Sequence, residues 1–287
     1  MSAYRFCRTD DIGLLVEALN RCWSPYFPDE PEMTPAAFKR SIRDLQVWCS
    51  SCMVAFSGSD PIGVLIGAKR PSGTLVHKIA VHPDHRRQGH GRHLLASLGS
   101  KLAILGPPRI VAEVPETLAP GRGLFGASGF VQESQLTDYV LDREARDSWA
   151  PGGAADGQFV IPMTVDDLAA NGLLDAHPHV CWARSVETLT ARKDAVAGLA
   201  VASDDRIEAY LLYVKHEAEA EILALRSCIE GGGARLNRLC SQLRAQGIGT
   251  LRFPKVHPDE ISRECLQRLA FQPAGGHVVY AAPARPD

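Results

Sequence analysis

VHPDHRRQGHGRHLL, residues 81–95, sets Gly89 and Gly91 behind Arg86 and Arg87 and then runs into apolar residues at helical spacing. A strand ending at Val81 and followed by such a stretch points the N–H groups of a tight turn and of a first helical turn at one spot, which attracts anions. Glycine has no Cβ, so a phosphate can approach the main chain there and the turn can take dihedrals other residues resist. Arg86, Arg87 and Arg92 add charge in forks suited to phosphate oxygens. A pyrophosphate fits this description. The P-loop pattern GxxxxGK[ST] is absent, and the dinucleotide fingerprint GxGxxG fails at Leu94. What stands is [RQ]xxGx[GA], filled by Arg86, Gly89 and Gly91.

Outward from this stretch, the period of the apolar residues alternates between helix and strand. RTDDIGLLVEALNRCW offers Thr9 or Asp10 as a cap for a helix over Ile12 to Leu19. WSPYFPDEPEMTP reads as a loop, and a second short helix covers Ala36 to Leu45. CMVAFSGSDPIGVLIGAKR reads as a hairpin turning at Gly58 to Pro61, and LVHKIAV as the strand before the quoted turn. A helix from Gly89 to Leu105, a strand at IVAEV, a short helix near Arg122 to Ser128 and strands from Phe130 to Leu141 complete the first half.

SWAPGGAADGQ then has the composition of a linker. After it the chain starts again. TVDDLAANGLLDAHPHVCW echoes TDDIGLLVEALNRCW, ASDDRIEAYLLYV echoes SGSDPIGVLIGA, GGGARLNRLCSQLRAQG echoes GHGRHLLASLGSKLAILG, and DEISRECLQRLAFQ echoes PGRGLFGASGFVQ. Gly91 matches Gly233 and Phe130 matches Phe271, at offsets of 142 and 141, so the later echoes keep one register. Two copies of one fold is the economical reading. The expected division is a first domain over 1–145, a linker over 146–158 and a second, degenerate copy over 159–287.

Composition narrows the class. With 45% hydrophobic and 22% charged residues the 287-residue chain is globular, and its length suits two domains. A net charge of -2 gives no whole-chain argument for nucleic acid, and HRRQGHGR lacks interleaved aromatics. No apolar run approaches a membrane span, and MSAYRFCRTDD lacks a signal peptide's apolar segment, so the expected location is cytoplasmic. Eight scattered cysteines read as reduced thiols. Cys49 and Cys52, in a stretch read as the start of a strand, would point to opposite faces and share no metal. His77, His82, His85, His90 and His93 have no carboxylate or cysteine at a recognisable ligand spacing, so no metal is expected.

The succession of strand, IAV, HPDHRRQGHG, amphipathic helix, strand and closing GF resembles the GNAT superfamily of acetyl-CoA-dependent N-acetyltransferases. KIAVHPDHRRQGHGRHLL is close to that family's acetyl-CoA motif, and GASGF is similar to its later helix-to-strand junction. Residues 3–142 follow the pattern well and residues 159–283 more faintly. The resemblance implies an α/β (α+β) fold: two tandem domains, each with a mixed, mostly antiparallel central sheet flanked by helices. It implies that the backbone of Ile79, Ala80 and Val81 pairs with the pantetheine arm of acetyl-CoA, with the Val81 N–H polarising the thioester carbonyl. Main-chain groups of Arg86, Arg87, Gln88, Gly89, His90, Gly91 and Arg92 would cradle the pyrophosphate. A neutral amine would attack the thioester directly.

An amine protonated at neutral pH must lose a proton first, so a carboxylate or histidine within reach is the expected base. Glu113, seventeen residues before Phe130, matches an acidic position that some members of the family use. His77, on the strand face of Ile79 and Val81, is second. The sequence departs from the family where Phe125 stands for a tyrosine that protonates the leaving thiolate and Leu118 for an asparagine that helps hold the cofactor. A thiol of pKa near 8.5 can still leave as thiolate. Tyr26, Asp29 and Glu30, with Glu32, lie in the loop bordering the acceptor cleft of the family, where acid would attract a cationic amine. In the second copy, Cys228 and Glu230 stand where a phosphate loop would need arginine or glutamine and no like charge. The expected activity is acetyl transfer to a small-molecule or peptide amine, without nucleic acid or membrane, by a monomer or homodimer. The alternative is a non-catalytic acetyl-CoA-binding or protein-interaction module of the same fold.

Overall fold

Helical spacing at the start of the chain becomes α1 (Ile12–Trp23), which buries Leu15, Val16, Ala18, Leu19 and Cys22. Its cap is Asp11, not Thr9 or Asp10. The Asp11 carboxylate accepts the Arg8 N–H at 2.7 Å and an Arg5 bond at 2.8 Å, and so closes the turn before the helix. α2 (Pro35–Leu45) starts where Thr34 Oγ1 accepts the Ala37 N–H at 3.1 Å, with proline in the first turn, where a missing N–H costs nothing.

The computed structural model describes residues 2–142, 159–174, 179–231 and 233–284, so the expected linker lies outside the described residues. The chain forms two compact units, Met1–Ser134 with Val278–Asp287, and Gln135–His277. The first is built from two separate stretches and the second is continuous, where the expected division was two consecutive domains over 1–145 and 159–287. In the first unit, β1 (Ser2–Phe6), β2 (Met53–Ser57), β3 (Asp60–Arg70), β4 (Gly73–Val81) and β5 (Arg109–Pro115) lie side by side in that order. Pairing is antiparallel as far as β4 and parallel between β4 and β5. β3 is buried along nearly its whole length, which matches its run of apolar residues. The crossover helix α3 (His90–Leu105) sets Leu94, Leu95, Leu98 and Leu102 against Ile110, Ala112 and Val114, and α4 (Ala119–Ala127) adds Phe125 to that cluster. Cys49–Ser51 form a 3-10 turn and β2 begins only at Met53, so the CxxC precedes the strand instead of starting it.

β6 (Val131–Leu141) begins in the first unit, but from Gln135 onward it belongs to the second. There it runs antiparallel to β11, with Leu141 opposite Leu251 and Tyr139 opposite Phe253. The second unit contains β7 (Phe159–Pro162), α5 (Val165–Ala170), α6 (Val186–Ala191), β8 (Ala197–Ala202), β9 (Ile207–His216), β10 (Glu219–Ser227), α7 (Gly233–Ala245), β11 (Thr250–Val256) and α8 (Arg263–Arg268). The last strand, β12 (Gln272–Pro283), returns to the first unit at Val278. There the Ala284 N–H reaches the Pro108 carbonyl at 2.7 Å, just before β5.

The two units share a detail no composition argument supplies. The β3–β4 register shifts between Ile66–Lys78 and Gly67–Val76, which leaves His77 as an extra residue. The β9–β10 register shifts between Tyr213–Ile222 and Leu212–Ala224, which leaves Leu223 extra. Each bulge bends the strand that leads into the glycine turn.

Candidate functional site

Beyond the bulge, β4 and β5 part. Among the described residues their ladder holds Thr74–Ile110 and Leu75–Val111. The His82 N–H bonds the Ile62 carbonyl on β3 at 2.9 Å. By strand alternation the main-chain groups of Ile79 and Val81 therefore point away from β3, into the gap beside β5. Ile79 is half-buried and Ala80 buried. The Val81 carbonyl accepts the Tyr26 hydroxyl at 2.6 Å, which ties the loop after α1 to the edge of the gap. Burial raises the Tyr26 phenol, and the Arg86 guanidinium, 5.6 Å from the ring centre, pulls it the other way.

At the end of β4 the turn bends twice through left-handed backbone, at Arg87 (φ 62°) and Gly89 (φ 85°). Alternation of this kind curls successive N–H groups into a concavity that receives anions. Gly89 caps α3, and the His93 N–H is the first to find a helical acceptor, the Gly89 carbonyl at 3.0 Å. The amides of His90, Gly91 and Arg92 therefore have no intrahelical partner, as in any first turn. Arg86, Arg87, Gln88, Gly89 and Arg92 are exposed, whereas His90 and Gly91 are buried.

The two glycines serve different purposes. A Cβ on Gly89 would meet nothing within 4 Å, so this position needs glycine for its backbone angle and keeps the space above it open. A Cβ on Gly91 would stand 3.1 Å from both methyl carbons of Leu124, so this glycine is required by the packing of α3 on α4, not by the approach of a phosphate. Gly91→Val is expected to lower stability by about 1–3 kcal/mol through overpacking, as denaturant titration would measure. His90 faces inward and accepts or donates to the Tyr4 hydroxyl through Nδ1 at 2.6 Å. Burial, reinforced by the charges of His85 and His93, lowers its pKa.

The two candidate bases sit on the strands that flank the gap, His77 at the β4 bulge and Glu113 on β5, both half-buried. Of the loop acids, Asp29 and Glu32 are exposed. Glu30 is already engaged: its carboxylate accepts Lys78 Nζ at 2.8 Å and Trp23 Nε1 at 2.9 Å. Burial raises its pKa, but these bonds and the charges of Lys78 and His77 outweigh that and hold it below the usual range. Lys78 Nζ also lies 4.0 Å from the Trp23 ring centre, and Trp23 stacks on Phe27 at 4.4 Å. Sequence reasoning missed this Trp23–Lys78 wall because the partners are 55 positions apart.

In the second unit the corresponding gap is filled. Arg184, only 2% exposed, donates to the carbonyl of Leu223 on β10 at 3.2 Å and to that of Lys255 on β11 at 3.0 Å. A two-pronged pair with Glu260, at 2.7 and 2.6 Å, neutralises it, and the guanidinium lies 4.6 Å from the Phe253 ring centre. Leu223 is the bulge residue, the counterpart of His77. At the turn leading into α7, Arg235 is taken up by Glu208, and Glu230 is exposed. Among the described residues His179, His257 and Asp259 bring ligating atoms within 4.8 Å of one another. His257 Nδ1, however, accepts the Asp259 N–H at 3.1 Å. That His-Pro-Asp turn repeats the one in which His82 Nδ1 accepts the Asp84 N–H at 3.4 Å, so the ring nitrogen is used by the turn.

Residues 14–130 match the model of the Acetyltransferase (GNAT) family. No curated protein sequence matches the chain. Among solved structures, a tandem GNAT protein from the clavulanic acid biosynthesis pathway is similar over 100% of both chains, with a TM-score of 0.67 at 17% identity. A GCN5-related N-acetyltransferase from Sphaerobacter thermophilus is similar over 99% of this chain and 96% of its own, with a TM-score of 0.69 at 12% identity. A putative acetyltransferase from Pyrococcus horikoshii is similar over 99% and 90%, with a TM-score of 0.62 at 14% identity. The whole chain thus has the tandem fold expected of it. No helix among the described residues is long and apolar enough to cross a membrane.

Proposed function

We propose, from the match of residues 14–130 to the GNAT acetyltransferase model and the likeness of the whole chain to tandem GNAT structures, that the first unit transfers an acetyl group from acetyl-CoA to a primary amine by direct attack in a ternary complex. The observation that carries this reading is the open edge of β4, where Ile79 and Val81 turn their main-chain groups into the gap beside β5, directly before the twice-bent turn Arg87–Gly89. A pantetheine arm has amides that pair with such an edge, as an added strand does. The amides of Arg87 to Arg92 and the exposed Arg86, Arg87 and Arg92 then meet the diphosphate, and a Val81 N–H meets the charge developing on the thioester oxygen. Glu113 takes the proton of the attacking amine, with His77 as the second candidate. The acceptor is a small-molecule or peptide amine, drawn by Asp29 and Glu32, since Glu30 is committed to Lys78.

The second unit, whose gap Arg184 fills, is a non-binding partner copy. Titration calorimetry with acetyl-CoA is therefore expected to give one site per chain, and amine-dependent release of free thiol should follow when a panel of primary amines is added. Binding without thiol release on any amine would favour the non-catalytic module. Absence of binding to coenzyme A and its acetyl form would remove the reading altogether.

A further inference from the structure

Tyr26 stands in the loop expected to border the acceptor, yet its hydroxyl reaches the open edge of β4. The Tyr26 N–H bonds the Trp23 carbonyl at 2.9 Å, so the residue is carried by the turn that closes α1. The hydroxyl donates to the Val81 carbonyl at 2.6 Å, on the side of β4 that faces the gap. C=O and N–H point in opposite directions across a trans peptide. At the other side of the same peptide unit, the His82 N–H donates to the Ile62 carbonyl of β3 at 2.9 Å. The Val81–His82 peptide is therefore held from both sides, by a strand on one and by a side chain on the other. Ala80, opposite Val64 in the ladder with β3, fixes the peptide before it. Between two fixed peptide planes Val81 has little freedom in φ and ψ, and its N–H keeps its aim into the gap.

A strand end that has parted from its neighbour frays. Here Tyr26 supplies from a side chain the bond that a neighbouring strand would supply from its backbone. The ring of the same tyrosine lies 5.6 Å from the guanidinium of Arg86, the first residue of the glycine turn. Burial raises the phenol's pKa and outweighs the opposite pull of Arg86, so the hydroxyl keeps its proton and remains a donor at neutral pH.

Resting on the acetyl-transfer reading above, we infer that Tyr26 is a positioning residue, whose hydroxyl holds the Val81 peptide so that the Val81 N–H meets the thioester oxygen as charge develops on it. Tyr26 gives up no proton and acts only through Val81. Donors to a developing oxyanion work by being fixed in advance, and losing one costs about 10²- to 10³-fold in kcat. A donor left in place but loosened costs part of that.

Tyr26→Phe removes the hydroxyl and keeps the ring beside Arg86. It is expected to lower kcat about tenfold, with the Kd for acetyl-CoA and the KM for the amine unchanged. Asn20→Ala is the comparison. Asn20 pins the other end of the loop through both main-chain groups of Met33, at 3.0 and 2.8 Å, and its loss should leave kcat at saturating amine near that of wild type. Hydrogen exchange reads the hold without turnover: the His82 amide should exchange about two- to tenfold faster in Tyr26→Phe, the share of one hydrogen bond. Unchanged exchange at His82, a wild-type kcat, a loss confined to the amine KM, or an equal fall of kcat in Asn20→Ala would each overturn the assignment. Lack of acetyl-CoA binding or thiol release by the wild-type protein would instead strike the acetyl-transfer reading, while exchange at His82 still tests the hold on Val81.

Discussion

Replacing Arg184 by alanine is expected to destabilise the second unit by about 3–5 kcal/mol, the usual cost of removing one member of a buried ion pair and leaving its partner's charge uncompensated. The side chains of Arg184 and Glu260 are 0% and 1% exposed, and Arg184 also closes the two backbone carbonyls of Leu223 and Lys255. Alanine would leave a carboxylate that is 1% exposed and two carbonyls without the donors they now have. Exchanging both partners, Arg184→Met with Glu260→Met, should cost far less, because no lone charge remains. Equilibrium denaturation of the three proteins separates these outcomes. An Arg184→Ala protein within about 1 kcal/mol of wild type would mean that the gap between β10 and β11 is not held by this side chain. Cys228 and Glu230 still stand in the second unit's turn where a diphosphate would need positive charge, so the single-variant protein should still show one acetyl-CoA site per chain.

The other large effect is expected at Glu113. Glu113→Gln keeps the size and hydrogen-bonding reach of the side chain but cannot take a proton, so kcat should fall by about 10²- to 10³-fold at neutral pH with the KM for acetyl-CoA unaltered. The deficit has a direction in pH. An alkylamine is mostly protonated at neutrality and frees itself of its proton as pH approaches about 10, so the variant should gain on the wild type as pH rises. A Glu113→Gln enzyme with full rate across the whole range would move the role to His77 or to water. A loss of rate that is equally severe at high pH would mean that Glu113 positions the substrate instead of accepting its proton.

Much of this was legible in sequence because the physics is local. The turn at Arg86 to Gly91 is set by glycines and by a strand-to-helix change of period, and the structure has α3 beginning at His90 with Gly89 as its cap. α1, α2, β3, β4 and β5 fall near the expected positions for the same reason: burial on one face or both imposes a period that can be read from the chain. The reason for Gly91 was not local. Its Cβ space is taken by Leu124, a contact made only once α4 has folded onto α3. Nor was the state of Glu30, whose charge is spent on Lys78, a partner 48 positions away on another element. Arg184, in CWARS, has the look of any surface arginine, and nothing around it in sequence announces that it is among the largest fully buried side chains.

The amino-acid sequence by itself determined that there are two copies of one fold and that Cys228 stands in the second where Arg86 stands in the first, ahead of the same glycine spacing. Glycine angles, charge and apolar period act within a few residues and need no distant partner. Only the tertiary structure decided which closing strand completes which unit. β6 and β12 carry equivalent residues, Tyr139 and Tyr280 among them, so backbone hydrogen bonding alone would serve either assignment. The choice rests on side-chain packing summed over a whole core: Tyr139 and Leu141 against Leu251 and Phe253 in one unit, Tyr280, Ala282 and Ala284 against Ala112 and Phe125 in the other.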